Sequence, residues 1–100
     1  MTDSIREGTR YLDTHYPHWE EKIDLDTLDL GDFHACVLGQ LHPRGHFQTG
    51  LNQAVRRGAP DTWSWSIRHG FLSTEGHYGY KKLTAKWRRA ILRRRRANRA

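Results

Sequence analysis

The sequence predicts an all-α protein: four or five short helices around one small core, with a basic C-terminal helix or tail. Three observations carry this prediction. Apolar residues recur at three- and four-residue steps in separate segments, each bounded by capping or breaking residues. β-Branched residues are few and no long alternating run exists, which argues against a sheet. Residues 81–100 hold ten basic residues and no acidic one, and a helical apolar seam leads into them. The expected organisation is a single helical domain over residues 1–92, followed by a basic, partly disordered tail over 93–100.

Each element has its own warrant. Ser4 and Glu7 stand at capping-box spacing, and Ile5, Thr9, Leu12 and Tyr16 then share one helical face. Pro17 stops that helix near His15. Trp19 and Ile23 anchor a short second turn. Leu25, Leu28 and Leu30 pin the segment 24–32 to the body, while Asp24, Asp26, Asp29 and Asp32 face water or cap turns. Asp32 is the expected N-cap of a helix from Phe33 to about Leu41, with Phe33, Val37 and Leu41 facing inward. His42-Pro43-Arg44-Gly45 breaks the chain. Phe47, Leu51 and Val55 line the next helix, which Gly58 and Pro60 end.

Asp61 then caps a helix from Thr62 to His69. Gly70 takes the left-handed position after it, and Phe71 folds back on Trp65 as in a Schellman ending. A strand is the competing reading, because Trp63, Trp65 and Ile67 alternate with Ser64 and Ser66. The helix is preferred because its start and stop signals both fit. The last helix carries Tyr80, Leu83, Trp87, Ala90 and Ile91 on one seam. The seam ends where the arginines begin, so this helix docks through Trp87 and its end projects into solvent.

A chain of 100 residues makes one domain with a modest core. Leu, Ile, Val and Phe together number 19, just under the level at which charged chains tend to disorder; four Trp and four Tyr offset this with large buried areas. Cys36 is the single cysteine, so no intrachain disulfide forms, as suits a reducing cytoplasm. No apolar run approaches a membrane span, and the first residues lack the apolar stretch of a secretory signal. The expectation is a cytoplasmic protein without a membrane partner.

Two segments carry a resemblance. Tyr16-Pro17-His18-Trp19 leads into Ile23-Asp24-Leu25-Asp26-Thr27-Leu28-Asp29-Leu30, and Cys36-Val37-Leu38-Gly39-Gln40-Leu41 follows. With a later His69-Gly70-Phe71, the first three quarters of the chain resemble small uncharacterised proteins of actinobacteria and their bacteriophages. His18 stands where that family has glycine. The resemblance implies an accessory protein of a phage or its host, hence host cytoplasm if phage-encoded. It transfers no catalytic residue.

Charge supplies the leading functional candidate. Residues 1–80 carry seven basic against eleven acidic residues, a net −4, whereas residues 81–100 carry +10. A cationic end on an acidic body calls for an anionic partner. Arg88, Arg89, Arg93, Arg94, Arg95, Arg96 and Arg99 are the candidate phosphate contacts, of the kind that position a protein on nucleic acid without reading sequence. The plainer account is a solvated tail offsetting the acidic body. Trp63 and Trp65 fall on nearly opposite helix faces and are hard to bury together. They are therefore the candidate surface for a host-protein partner.

Cys36 with His34, His42 and His46 is the third candidate, a thiol or zinc centre. One cysteine at poor spacing reads more naturally as a small buried hydrophobe. The aspartates of 24–32 miss the calcium-loop pattern, since Leu28 and Ala35 occupy ligand positions. A helix-turn-helix around Ala54, Gly58 and Ile67 fails because Gln53, Arg57 and Ser64 are polar where packing residues belong. The expectation is a non-enzymatic binding protein with no cofactor and no metal. Nucleic acid is the first partner class, a host protein the second. The sequence sets no oligomeric state.

Overall fold

Two tryptophans organise the core. The computed structural model describes residues 4–44 and 46–99, and among them six helices and no strand. These are α1 (Ser4–His15), α2 (Trp19–Lys22), α3 (Val37–Leu41), α4 (His46–Arg56), α5 (Thr62–Arg68) and α6 (Gly76–Arg99). Trp19 of α2 and Trp87 of α6 are both fully buried and meet edge to face, with ring centroids 5.8 Å apart. Phe71 stacks on the other side of Trp87 at 5.5 Å. Each indole N–H is paired: Trp87 Nε1 donates to the Gly70 carbonyl at 2.7 Å and Trp19 Nε1 to Asp13 Oδ1 at 2.9 Å. Those bonds remove the penalty of burying the polar edge of the ring.

α1 crosses this pair closely. A Cβ at Gly8 would lie 2.1 Å from the His69 carbonyl oxygen and 2.8 Å from the Trp87 ring, so only glycine lets α1 approach. The expected inner residues Ile5, Thr9 and Leu12 are all buried. So are Leu28 and Leu30, which hold the loop after α2, with Leu25 packed alongside. In that loop Asp24 Oδ1 accepts from Asp26 N and Asp29 Oδ1 from Gly31 N, which is the turn-capping role expected of them.

The helix expected from Phe33 starts four residues later, at Val37. Asp32 Oδ1 accepts from His34 N at 2.7 Å and Ala35 N at 3.2 Å, and the Asp32 carbonyl accepts from Cys36 N. Those bonds close a separate turn and leave Cys36 to cap α3, its Sγ accepting from Gly39 N at 3.2 Å. Phe33 consequently leaves the inner face; it is 66% exposed and stacks on Phe47. α4 is similarly shifted. Ala54 rather than Val55 completes the inner face, because a four-then-three step from Phe47 follows the 3.6-residue period and two steps of four do not.

α5 is a helix. Asp61 caps it through Trp63 N; Phe71 N bonds the Ser66 carbonyl at 2.8 Å and Gly70 N the Ile67 carbonyl at 3.2 Å. Gly70 has φ 75°, and Phe71 lies against Trp65 with ring centroids 5.5 Å apart. This is the Schellman ending expected from the sequence. α6 departs most from expectation: it is one helix of 24 residues, continuous through Arg93–Arg99, where a partly disordered tail was expected.

Candidate nucleic-acid interface

The basic run of α6 is divided by helical geometry into an inner and an outer set. Successive residues turn by about 100° at 3.6 residues per turn, so four arginines in a row cannot share a face. The inner seam of Leu83, Trp87 and Ile91 continues into Arg94, Arg95 and Asn98.

Arg94 makes a bidentate pair with Asp13, both bonds at 2.7 Å, and its guanidinium lies over the Trp19 ring at 5.6 Å. Arg95 Nε donates to the Glu20 carbonyl at 2.8 Å, and another of its nitrogens donates to the Ile23 carbonyl. These are carbonyls at the end of the four-residue α2, which has no following turn to satisfy them. Asn98 Nδ2 donates to Glu20 Oε1 at 2.7 Å. The expected projection of this helix end into solvent is therefore corrected on its inner side. The body supplies the carboxylates of Asp13 and Glu20 and two backbone carbonyls for it.

The outer set is Lys82, Lys86, Arg89, Arg93 and Arg96. They follow at steps of four, three, four and three, which keeps them within about 80° of arc over about 21 Å of helix. All five are exposed. Among the described residues the ion pairs are Arg10 with Glu7 and Arg94 with Asp13, so none of these five is matched by a carboxylate. Lys82 lies over the Tyr78 ring at 4.6 Å. Glu75 lines a cleft with Lys82 and Lys86 but pairs with neither. Exposed Arg99 and half-buried Arg88 lie together to one side of the stripe, and neither is paired with a described carboxylate. Of the seven candidate arginines, Arg89, Arg93 and Arg96 lie on the outer stripe, Arg99 is exposed to one side of it, Arg88 is half-buried on the side of Arg95, and Arg94 and Arg95 are spent inside. Lys82 and Lys86 join the outer three, and their heptad-like step was readable in the sequence.

The tryptophan pair is divided too. Trp63 is 60% exposed, whereas Trp65 packs T-shaped on Tyr11 at 4.8 Å and stacks on His69 at 4.4 Å. Cys36 is buried, and burial pushes its thiol up to about 11. His42 is turned away from it, with Nε2 at 2.7 Å from the Tyr16 hydroxyl. Arg57 donates to the Tyr11 hydroxyl at 2.9 Å and lies over the Tyr16 ring at 5.1 Å. Burial, reinforced by the Arg57 charge, holds His42 below its ordinary pKa. His34 and His46 meet each other, a contact that sequence spacing did not suggest. Among the described residues no group of three or more His, Cys, Asp or Glu is arranged to hold a metal ion. No described helix is long and apolar enough to cross a membrane.

Comparison with protein-family models, curated proteins and solved structures gives no match, so this chain's own geometry carries the functional argument.

Proposed function

We propose that the protein is a non-enzymatic accessory protein that binds nucleic acid through phosphates, using the outer face of α6. The observation that supports this is the stripe of five cations from Lys82 to Arg96, exposed and unmatched by any described carboxylate. Side chains of one sign, held in line on a rigid helix, repel one another until a polyanion neutralises them. The inner contacts of Arg94 and Arg95 serve this role indirectly. They fasten the helix end to α1 and α2, so the stripe is presented without an ordering cost on binding. Phosphate contacts of this type give salt-dependent affinity and little sequence preference. The resemblance of the first three quarters to proteins of actinobacteria and their phages supports the host cytoplasm as the setting.

The test is binding of labelled duplex and single-stranded DNA and RNA across a salt series, with outer-face cations replaced by glutamine. Affinity that ignores both salt and the substitutions overturns the reading. A second reading rests on Trp63, an exposed indole suited to anchoring a protein partner. Nuclease-resistant capture of a host protein that is abolished by Trp63→Ala, with outer-face variants still capturing it, would favour that reading instead.

A further inference from the structure

We infer that the outer face of α6 takes an unpaired strand of nucleic acid, with Tyr78 as the platform on which a base stacks. This rests on the phosphate-binding reading above and names the substrate class of that same face. Tyr78 stands in the first turn of α6 and is 65% exposed. Helical spacing puts it in line with the cations. Lys82 follows it by one four-residue step, and Arg96 follows it by 18 residues, which is five whole turns. Tyr78 and Arg96 therefore mark the same edge of the arc that holds the five cations. With the ring included, the stripe runs for about 27 Å.

The ring is already engaged with the stripe. Lys82 Nζ lies 4.6 Å from its centroid, a cation over the negative face of the phenol ring. Among the described residues no other ring meets Tyr78, so its aromatic surface is not used up in the core. The backbone beneath it is held in place. Gly79 N donates to the Glu75 carbonyl at 3.4 Å, and a Cβ at Gly79 would lie 2.1 Å from Ser73 Oγ, so this turn sits hard against the preceding segment. A tyrosine has two side-chain torsions and loses little freedom on stacking. A cationic track for the backbone with an aromatic platform for a base suits a single strand, whose bases are free to stack on protein rings whatever their identity. Inside a duplex each base face is covered by its neighbours. There the phosphates still meet the cations, and Tyr78 adds nothing. The two parts thus have separable effects: the cations set the salt slope, and Tyr78 sets the preference for an unpaired strand.

The experiment measures fluorescence anisotropy of the full chain with a labelled mixed-sequence single strand and with a long duplex of the same sequence. A salt series compares the unmodified chain with Tyr78→Ala and Tyr78→Phe. Tyr78→Ala should weaken single-strand binding by about 5- to 150-fold and leave its salt slope and the duplex affinity unchanged. Tyr78→Phe keeps the stacking face and should bind as the unmodified chain does. If Tyr78→Ala fails to fold, NMR of the unmodified chain decides: the Tyr78 ring protons should shift upfield on adding single strand and stay in place on adding duplex. Ring signals that do not move overturn the inference. Salt-dependent binding that folded Tyr78→Ala leaves unchanged, or weakens equally on single strand and duplex, overturns the Tyr78 platform and leaves the phosphate reading standing. Binding without salt dependence, or no binding of either nucleic acid, overturns both.

Discussion

Replacing Arg89, Arg93 and Arg96 together by glutamine should flatten the salt dependence of nucleic-acid binding by an amount the structure fixes. The outer face offers five unmatched cations, Lys82, Lys86, Arg89, Arg93 and Arg96. If each neutralises one phosphate of a duplex, log affinity falls with log salt at a slope of about −4.5. Between 50 and 200 mM salt that is a loss of about 500-fold. With two cations left the slope is about −1.8, and the same salt change costs only about 12-fold. Glutamine removes the charge and has a helix propensity close to that of arginine, so α6 should persist. Fluorescence anisotropy with a labelled duplex reads the slopes, and circular dichroism checks the helix. Arg94→Gln is the internal control: Arg94 is paired with Asp13, so its loss should lower Tm and leave the slope alone. A triple variant with the parent slope, or an Arg94 variant that flattens it equally, would refute the reasoning.

Four further outcomes follow from the core and its polar groups. Gly8→Ala places a methyl 2.1 Å from the His69 carbonyl oxygen, and the resulting separation of α1 from Trp87 should cost about 3 kcal/mol or more in a denaturant melt. Ser66 Oγ is buried without a hydrogen-bond partner among the described residues, so Ser66→Ala should raise stability by about 1 kcal/mol; a loss would show a hidden partner. His42 is held below its ordinary pKa by burial, so the unfolded chain takes up its proton first. Stability is therefore complete above about pH 6.5 and is lost as pH falls from there through the folded pKa. His42→Gln, which keeps an acceptor for Tyr16, should make that decline shallower in Tm measured from pH 7 to 5. Finally, with the Cys36 thiol pushed up to about 11, thiol reagents at neutral pH should label it only after denaturant is added.

Most of the fold was legible because its signals are local. Asp61, Gly70 and Phe71 each perform at α5 the role that their chemistry demands, and the strand alternative disappears with those bonds. Trp19 and Trp87 read as core and are core. The misplaced start of the third helix has a physical cause: Asp32 can cap a turn or a helix with the same carboxylate geometry. The choice was made by Cys36, whose sulfur competes as a cap. Val55 was misassigned because residues four apart drift around a helix, and over two steps the drift decides which residue faces inward. The sequence grouped His34 and His46 only as candidate ligands around Cys36; that they meet each other instead was not legible, because the contact joins a turn to a helix start across twelve residues with no periodic pattern.

The arginine run illustrates a limit of reading charge from composition. Counted along the chain, Arg93–Arg96 form one block and invite one role. Wound into a helix, they point in four directions, and what each does depends on what the body offers in that direction. Toward α1 and α2 the body offers Asp13 and the carbonyls of Glu20 and Ile23, so Arg94 and Arg95 become structural. Toward solvent it offers nothing, so Arg93 and Arg96 keep their charge unmatched. The same division explains why the helix extends to Arg99: a run of cations would fray by self-repulsion if two of its members were not fastened. Docking and binding are thus coupled in one helix. Weakening the inner pair should loosen the outer stripe, and the entropy then lost on binding should appear as weaker affinity at an unchanged salt slope.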